Sequence, residues 1–345
     1  MAVELLGHYR PSVPREAEIV RRSLNVGLAM GLFSAATFGT SGSFAASLIA
    51  AGWTPGAAVT ARVLIAALVL TIPALLHLRS GHATWASVRT ISVYGAIAVA
   101  GAQLCYFNAV AHLSVGVALL LEYSGILLVV AWGWLLHGHR PARLTVVGGG
   151  VAIAGLVLVL DLAGSHRLDA VGALWGLGAA VGLAAYFILS AERDESVPPL
   201  VMAWGGLVVG GIVLAVAGLS GLLPLHATFT AVRLLGRQVS WILPVLGLAL
   251  IAAVIAYVAG ITAVRLLGSR LASFVGLAEV LFAVVFAWLL LEQRLDATQL
   301  AGGALVVAGI ALVRLDEMRH PAPVDAGEKV AGAQAVACDP VATGV

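Results

Sequence analysis

The sequence predicts an all-α integral membrane protein: ten transmembrane helices arranged as two inverted five-helix repeats. Three observations carry that expectation. Of 345 residues, 61% are hydrophobic and only 10% charged, against roughly 25% charged in a soluble domain. Too few polar residues remain to cover a water-facing surface, so lipid is the solvent for most of the chain. The apolar residues gather into runs of about 20, the length that crosses roughly 30 Å of hydrocarbon. Finally, the chain begins to match itself when shifted by 154 residues.

The first run starts near Leu24, after the mixed-charge stretch "VPREAEIVRRS". It is longer than a signal-peptide core and has no early small-residue cleavage site, so it reads as an uncleaved first span. Spans are expected at 24–49, 56–77, 91–112, 114–136, 143–162, 170–190, 199–219, 241–264, 270–291 and 296–313. These runs are continuously apolar and do not alternate, which favours helices over a barrel. The expected organisation is a cytoplasmic N-terminal segment (1–23), a first repeat (24–162), a second repeat (163–314) and a disordered cytoplasmic tail (315–345), rich in Pro, Gly and Ala. The longest connection, 220–240, has room for one interfacial helix, and no loop is large enough to fold as a catalytic or receptor domain.

Basic residues set the orientation. With a cytoplasmic N-terminus, 14 of the 19 Lys and Arg fall inside and four outside, while Arg62 lies within a span. Both termini are therefore expected in the cytoplasm and the chain in the cytoplasmic (inner) membrane. The net charge of +2 says nothing about nucleic acid, and with no basic cluster long enough to track phosphates no nucleic-acid partner is expected. Cys105 and Cys338 form no disulfide framework, and no metal or cofactor site is expected. The sequence contains no G-x-S-x-G, H-E-x-x-H or Walker loop, so it does not read as an enzyme.

Under the 154-residue shift, Ala118 falls on Ala272, Trp134 on Trp288, Arg140 on Arg294 and Gly149 on Gly303. Five spans per half is an odd number, so the halves lie inverted in the membrane, a layout that places a solute site near the midplane. Each half drives one acid into an apolar run: Glu122 in "ALLLEYSGILLVVAW" and Glu279 in "FVGLAEVLFAVVFAWLLL". The stripe 118, 122, 125, 129 reads Ala, Glu, Gly, Val, and its counterpart 272, 276, 279, 283 reads Ala, Gly, Glu, Ala. Glu122 lies roughly 12 Å from the outer end of its span and Glu279 roughly 15 Å from the inner end of its own, at 1.5 Å per residue. At that depth an ionised acid costs at least ~2.5 kcal/mol, and a carboxyl there can exchange protons or bind a cation as access alternates.

Each acid has a bland counterpart. Arg62 lies at a depth close to that of Glu122, so the two form either a structural pair or a solute or proton site. No cationic side chain reaches comparable depth in the second half, which makes Glu279 the stronger functional candidate. Gln103 and Tyr106 share a face of the third span and, with Tyr123, are candidate pocket neighbours; interhelical hydrogen bonding is the alternative for each. Tyr186, Trp204 and Tyr257 are weaker candidates because aromatic residues also serve as interfacial anchors. "TFGTSGSF" (37–44) makes the first span unusually small and polar, suited to a cavity or to tight packing.

"CYFNAVAHLSVGVALLLEYSGILLVVAWGWLLHGHRPARLTVVGGGVAIAGLVLV" resembles the second part of an EamA domain, and "AYVAGITAVRLLGSRLASFVGLAEVLFAVVFAWLLLEQRLDATQLAGGALVVAGIALV" resembles another copy. Two such domains in tandem are similar to the drug/metabolite transporter superfamily, and "TARVLIAALVL" (60–70) is similar to its Arg-containing second span. "ALLLEYSG" resembles the Glu-aromatic segment of amino-acid exporters of the threonine/homoserine type, although Ile126 stands where those continue with Pro. The resemblance implies a secondary transporter, more often an exporter, of amino acids, metabolites or drug-like compounds. Its expected partners are a small-molecule substrate, protons or an exchanged solute, and membrane lipid; a homodimer is compatible with it. The reading from another class is a non-transporting scaffold or lipid-handling protein, in which the acidic stripes face a dry interface.

Overall fold

The computed structural model describes residues 13–78, 85–137, 143–159, 169–191, 197–293 and 297–319. The first repeat comprises α1 (Val13–Gly39), α2 (Ser41–Ala50), α3 (Pro55–Leu78), α4 (Trp85–Val93), a π-helical stretch (Tyr94–Gly101), α5 (Ala102–His112), α6 (Val115–Tyr123), α7 (Gly125–His137) and α8 (Arg143–Val159). The second comprises α9 (Ala170–Ala191), α10 (Pro199–Leu219), strands β1 (Val232–Leu234) and β2 (Arg237–Val239), α11 (Ile242–Leu246), a second π-helical stretch (Gly247–Ile255), α12 (Ala256–Gly276), α13 (Ala278–Leu291) and α14 (Ala297–Arg319). Six stretches among the described residues are long and apolar enough to cross a membrane: 23–50, 55–77, 87–112, 170–190, 199–219 and 242–268. Shorter apolar helices at 115–129, 146–155, 278–291 and 300–309 fall within the other four expected spans.

Side-chain burial fits a lipid solvent. Leu68, Ile72, Leu135 and Leu174 point outward with 69–77% of their surface exposed; an apolar exterior of this kind leaves backbone groups satisfied inside each helix and asks nothing of the surroundings. The inverted repeat is legible in the packing. Span counterparts pair directly, α3 with α10 and α8 with α14, while α1 on α12 is mirrored by α9 on α5. The α8–α14 contact is made by small residues, with Gly155 against the backbone of Gly302 and Val306, and Gly309 against Ala152. Such residues let backbones approach closely where no hydrophobic drive separates helix from lipid.

Several spans are interrupted. The first breaks at Thr40 between α1 and α2, the fourth at Ser124 between α6 and α7, and the ninth at Leu277 between α12 and α13. Inside α12, Gly268 has φ +78° and ψ 161° and turns the chain from the eighth span into the ninth; that region of backbone space is open essentially to glycine alone. The last helix continues to Arg319, five residues past the expected end of the second repeat. The expected tail beyond it, 320–345, and the first 12 residues lie outside the described residues.

The 220–240 connection carries a β-hairpin where an interfacial helix was expected. The pairing Leu234↔Arg237 leaves Leu235 and Gly236 as a two-residue loop, both with positive φ (54° and 68°), the turn whose twist matches antiparallel strands. The connection has room for an interfacial helix, but the turn at these two residues outweighs the propensity of their neighbours. The connection is bound to the 51–54 loop: Trp53 Nε1 donates to the Thr228 carbonyl (2.6 Å), Thr228 Oγ1 to the Ala51 carbonyl (2.6 Å) and Thr54 Oγ1 to the Pro224 carbonyl (2.7 Å). Trp241 packs edge-on to Phe229 and beside Trp53. This end of the molecule is closed.

Candidate functional site

The interrupted helices meet around one half-open cavity of about 60 Å³. Its lining comes from both halves: Gly31, Ser34 and Phe38 of α1, Gln103 of α5, Glu122 and Tyr123 of α6, Tyr186 and Phe187 of α9, Tyr257 and Gly260 of α12, and Glu279 of α13. Further lining at Ala263, Val264 and Ala272 follows α12 towards the Gly268 turn. The cavity therefore extends from the level of the two acids towards the end of the bundle opposite the hairpin. Space of this size holds roughly four waters.

The break in the ninth span supplies the best-defined contact. Val280 N–H bonds to the Leu277 carbonyl, so the Gly276 carbonyl is not taken up by the regular i+4 bond. The Tyr123 hydroxyl lies 2.7 Å from that carbonyl and 2.9 Å from Glu279 Oε2. A hydroxyl has one proton, so it donates to one of these acceptors at a time. Glu279 is half-buried. Glu122, two residues before the break in the fourth span, is 6% exposed; among the described residues its carboxyl has no hydrogen bond or ion pair.

Arg62 stands behind the cavity and is fully buried. Its guanidinium donates to Ser41 Oγ (2.9 Å), to Gln103 Oε1 and to the carbonyl of Ala252 in the second π-helical stretch. It also lies over the rings of Phe107 (5.7 Å) and Phe38 (6.0 Å). Its direct partners are neutral, so a contact pair between Arg62 and Glu122 is not formed; the guanidinium acts on Glu279 and Glu122 only at longer range. A buried cation with neutral acceptors needs such carboxyls nearby to offset its desolvation. Arg62 also ties α2, α3 and α5 of one half to the other.

Of the six residues singled out from sequence, Glu279, Glu122, Tyr123 and Gln103 line the cavity. Arg62 reaches it through Gln103. Tyr106 does not reach it: buried at 3%, it packs against Gly42 of α2 and Phe107. Trp204 is likewise outside, its Nε1 donating to Thr71 Oγ1. The two small-residue stripes part company too. Ala272, Gly276 and Glu279 face the cavity, whereas from the first stripe only Glu122 does. Gly125 closes against the Ala180 backbone of α9, where an added Cβ would collide.

Ser34, Phe38 and Phe187 escaped the sequence reading. Phe38 stands within the unusual segment 37–44, but its facing depends on the break at Thr40. Together with Tyr186 and Tyr257 these rings make an edge-to-face cluster, Phe38 to Tyr257 at 5.0 Å and Tyr186 to Phe187 at 5.2 Å. At the closed end His112 Nδ1 meets Asp169 Oδ2 at 2.6 Å, joining α5 to α9. That bond and the Gly172 N–H hold the Asp169 carboxyl below the usual carboxylate range. Among the described residues no group of three or more His, Cys, Asp or Glu could hold a metal.

The sequence matches the EamA-like transporter family over residues 25–161 and again over 170–315. The chain belongs to this family. EamA-like proteins are membrane transporters of small solutes and not enzymes, so this chain is a multi-pass membrane protein with two EamA repeats. A solved crystal structure shares the fold of this EamA-like chain, with a TM-score of 0.57 and 20% identity, covering 88% of this chain and 99% of the other. No curated protein matches the sequence.

Proposed function

We propose that this chain is a ten-span secondary transporter that exports a small organic solute across the cytoplasmic membrane by alternating access, with proton coupling at Glu279 and Glu122. Both termini are cytoplasmic in this reading, and the cavity opens to the cytoplasm while the hairpin closes the outer end. The observation that carries it is the half-open cavity between the repeats, lined by the acid of each. A scaffold would have its acids at a dry contact.

Tyr123 gives the coupling a mechanism. With Glu279 ionised, the Tyr123 proton points to the carboxylate. Once Glu279 takes up a proton, its own O–H can donate to the Tyr123 oxygen, and the Tyr123 proton turns to the Gly276 carbonyl. The carboxyl's protonation thus changes a bond at the break in the ninth span, where the helix is free to bend. A rearrangement that closes the inner end and releases the 51–54 loop from the hairpin segment would expose the site to the outside.

The test is untargeted metabolite profiling of cells and medium for vector, wild-type and Glu279→Gln expressors at matched membrane levels. A solute class moved by wild type and not by the variant supports both the transporter and its acid. Equal movement by both leaves the transporter but makes Glu279 structural, and no wild-type difference in either direction overturns the reading.

A further inference from the structure

We propose that the cavity takes a small organic cation of single positive charge, an amine or quaternary ammonium with an apolar body, in preference to anionic, neutral or zwitterionic solutes. This rests on the transporter reading and narrows it to a substrate class.

The charges facing the cavity are of one sign. Among the described residues its only carboxyl or basic side chains are Glu122 and Glu279, beside the neutral phenols of Tyr123, Tyr186 and Tyr257. Glu122 is enclosed, lines the cavity and has no hydrogen bond or ion pair among the described residues. A buried carboxylate is retained when something pairs with it, and the empty volume beside Glu122 is where that partner would sit. Arg62, the nearest described cation, is not that partner: it is withdrawn from the lining and directed at Ser41, Gln103 and the Ala252 carbonyl. Arg265 of α12 donates to the Val197 carbonyl and does not line the cavity either. When both carboxyls are ionised, two carboxylates face one guanidinium, and a monovalent cation entering in place of a proton balances the remaining charge.

The walls select in the same direction. Phe38, Tyr186, Phe187 and Tyr257 surround the space beside the acids, and aromatic faces attract ammonium groups. A zwitterion would bring a carboxylate into this enclosure with no fixed cation in the lining to receive it. The volume suits a compact head: roughly four waters can be exchanged for an ammonium centre and its substituents, with the rest of the molecule extending towards the open end between Ala263 and Ala272.

The experiment uses the full chain reconstituted in liposomes and four probes of related skeleton: benzyltrimethylammonium, benzyl alcohol, benzoate and phenylalanine. Saturable uptake of benzyltrimethylammonium is expected, inhibited by benzylamine and indifferent to the other three. Glu122→Gln should weaken half-saturation about tenfold, the scale of one charge-assisted contact, and Tyr186→Leu should weaken the quaternary ammonium more than benzylamine. The wild-type probe comparison stands even if a variant fails to fold. Uptake of phenylalanine, benzyl alcohol or benzoate without the cation overturns the substrate class and leaves the transporter. Absence of cation uptake from a preparation that moves the solute found by profiling also overturns the class, whereas failure of the profiling experiment itself removes the transporter reading beneath it.

Discussion

The fourth and ninth spans are copies of one element, and each is broken within two residues of its acid, yet the two carboxyls end in different settings. Glu122 precedes its break and is enclosed without a partner; Glu279 follows its break and meets the Tyr123 hydroxyl. The small residues around them differ in the same way. Gly125 is spent on close contact with the α9 backbone, while Gly276 lines the cavity and faces only the side chains of Phe187 and Tyr123 among its nearest neighbours. The two copies share the broken helix and carry one acid each, displaced by one turn: the acid of one copy has no partner among the described residues and that of the other meets a tyrosine hydroxyl.

The sharpest way to break this comparison is to neutralise each acid in turn. Glu279→Gln is expected to reduce proton-driven flux in proteoliposomes to background, and Glu122→Gln to lower it about tenfold. A more damaging Glu122 variant would reverse the two roles. Next in size is Arg62→Met, which leaves the Gln103 and Ala252 acceptors without their donor and exposes the two acids to each other. It should cost about 3 kcal/mol, read as a fall in unfolding temperature in a fixed detergent.

The glycines give a matched pair. Gly125→Ala must push against the Ala180 backbone and should cost about 1–3 kcal/mol, in the range of overpacked cores. Gly276→Ala meets only Phe187 Cζ at 3.3 Å and the Tyr123 hydroxyl at 3.4 Å and should be better tolerated, again by unfolding temperature. In the same pair, a cysteine at 276 should react with a water-soluble maleimide and one at 125 should not. The smallest effect belongs to Asp169, the exposed acid at the closed end. Its folded value is depressed, so its contribution is complete above the ordinary aspartate value of about 3.9 and is lost as pH falls through the depressed one. Asp169→Asn should lower the unfolding temperature slightly at neutral pH and meet the wild-type profile in acid, where wild type has already lost this contribution.

Much of the architecture was legible because a bilayer imposes simple arithmetic: apolar runs, a repeat and one acid in each half pointed to the two acid-bearing spans and four of the residues at the cavity, though not to the breaks in those spans. What was illegible depended on rotation and on local geometry. Whether Arg62 would meet Glu122 or Gln103 is decided by the facing of α3 against α5, which depth alone does not fix. Phe38 and Phe187 converge from helices far apart in sequence, each looking like one more apolar residue in a membrane span. The hairpin turned on Leu235 and Gly236, two residues inside a connection that otherwise offered no period to read.

The two π-helical stretches occupy almost the same place in the two halves: a shift of 154 residues lays Tyr94–Gly101 on 248–255, within one residue of the observed Gly247–Ile255. Each carries a wider turn than an α-helix, which advances about 100° per residue. Everything beyond is rotated accordingly, Gln103 after the first and Tyr257 after the second. Losing a single codon from either stretch would restore a regular helix of unchanged hydrophobicity and swing those side chains away from the cavity. The facing of Gln103 and Tyr257 therefore depends on the length of these segments, counted in residues, more than on their composition.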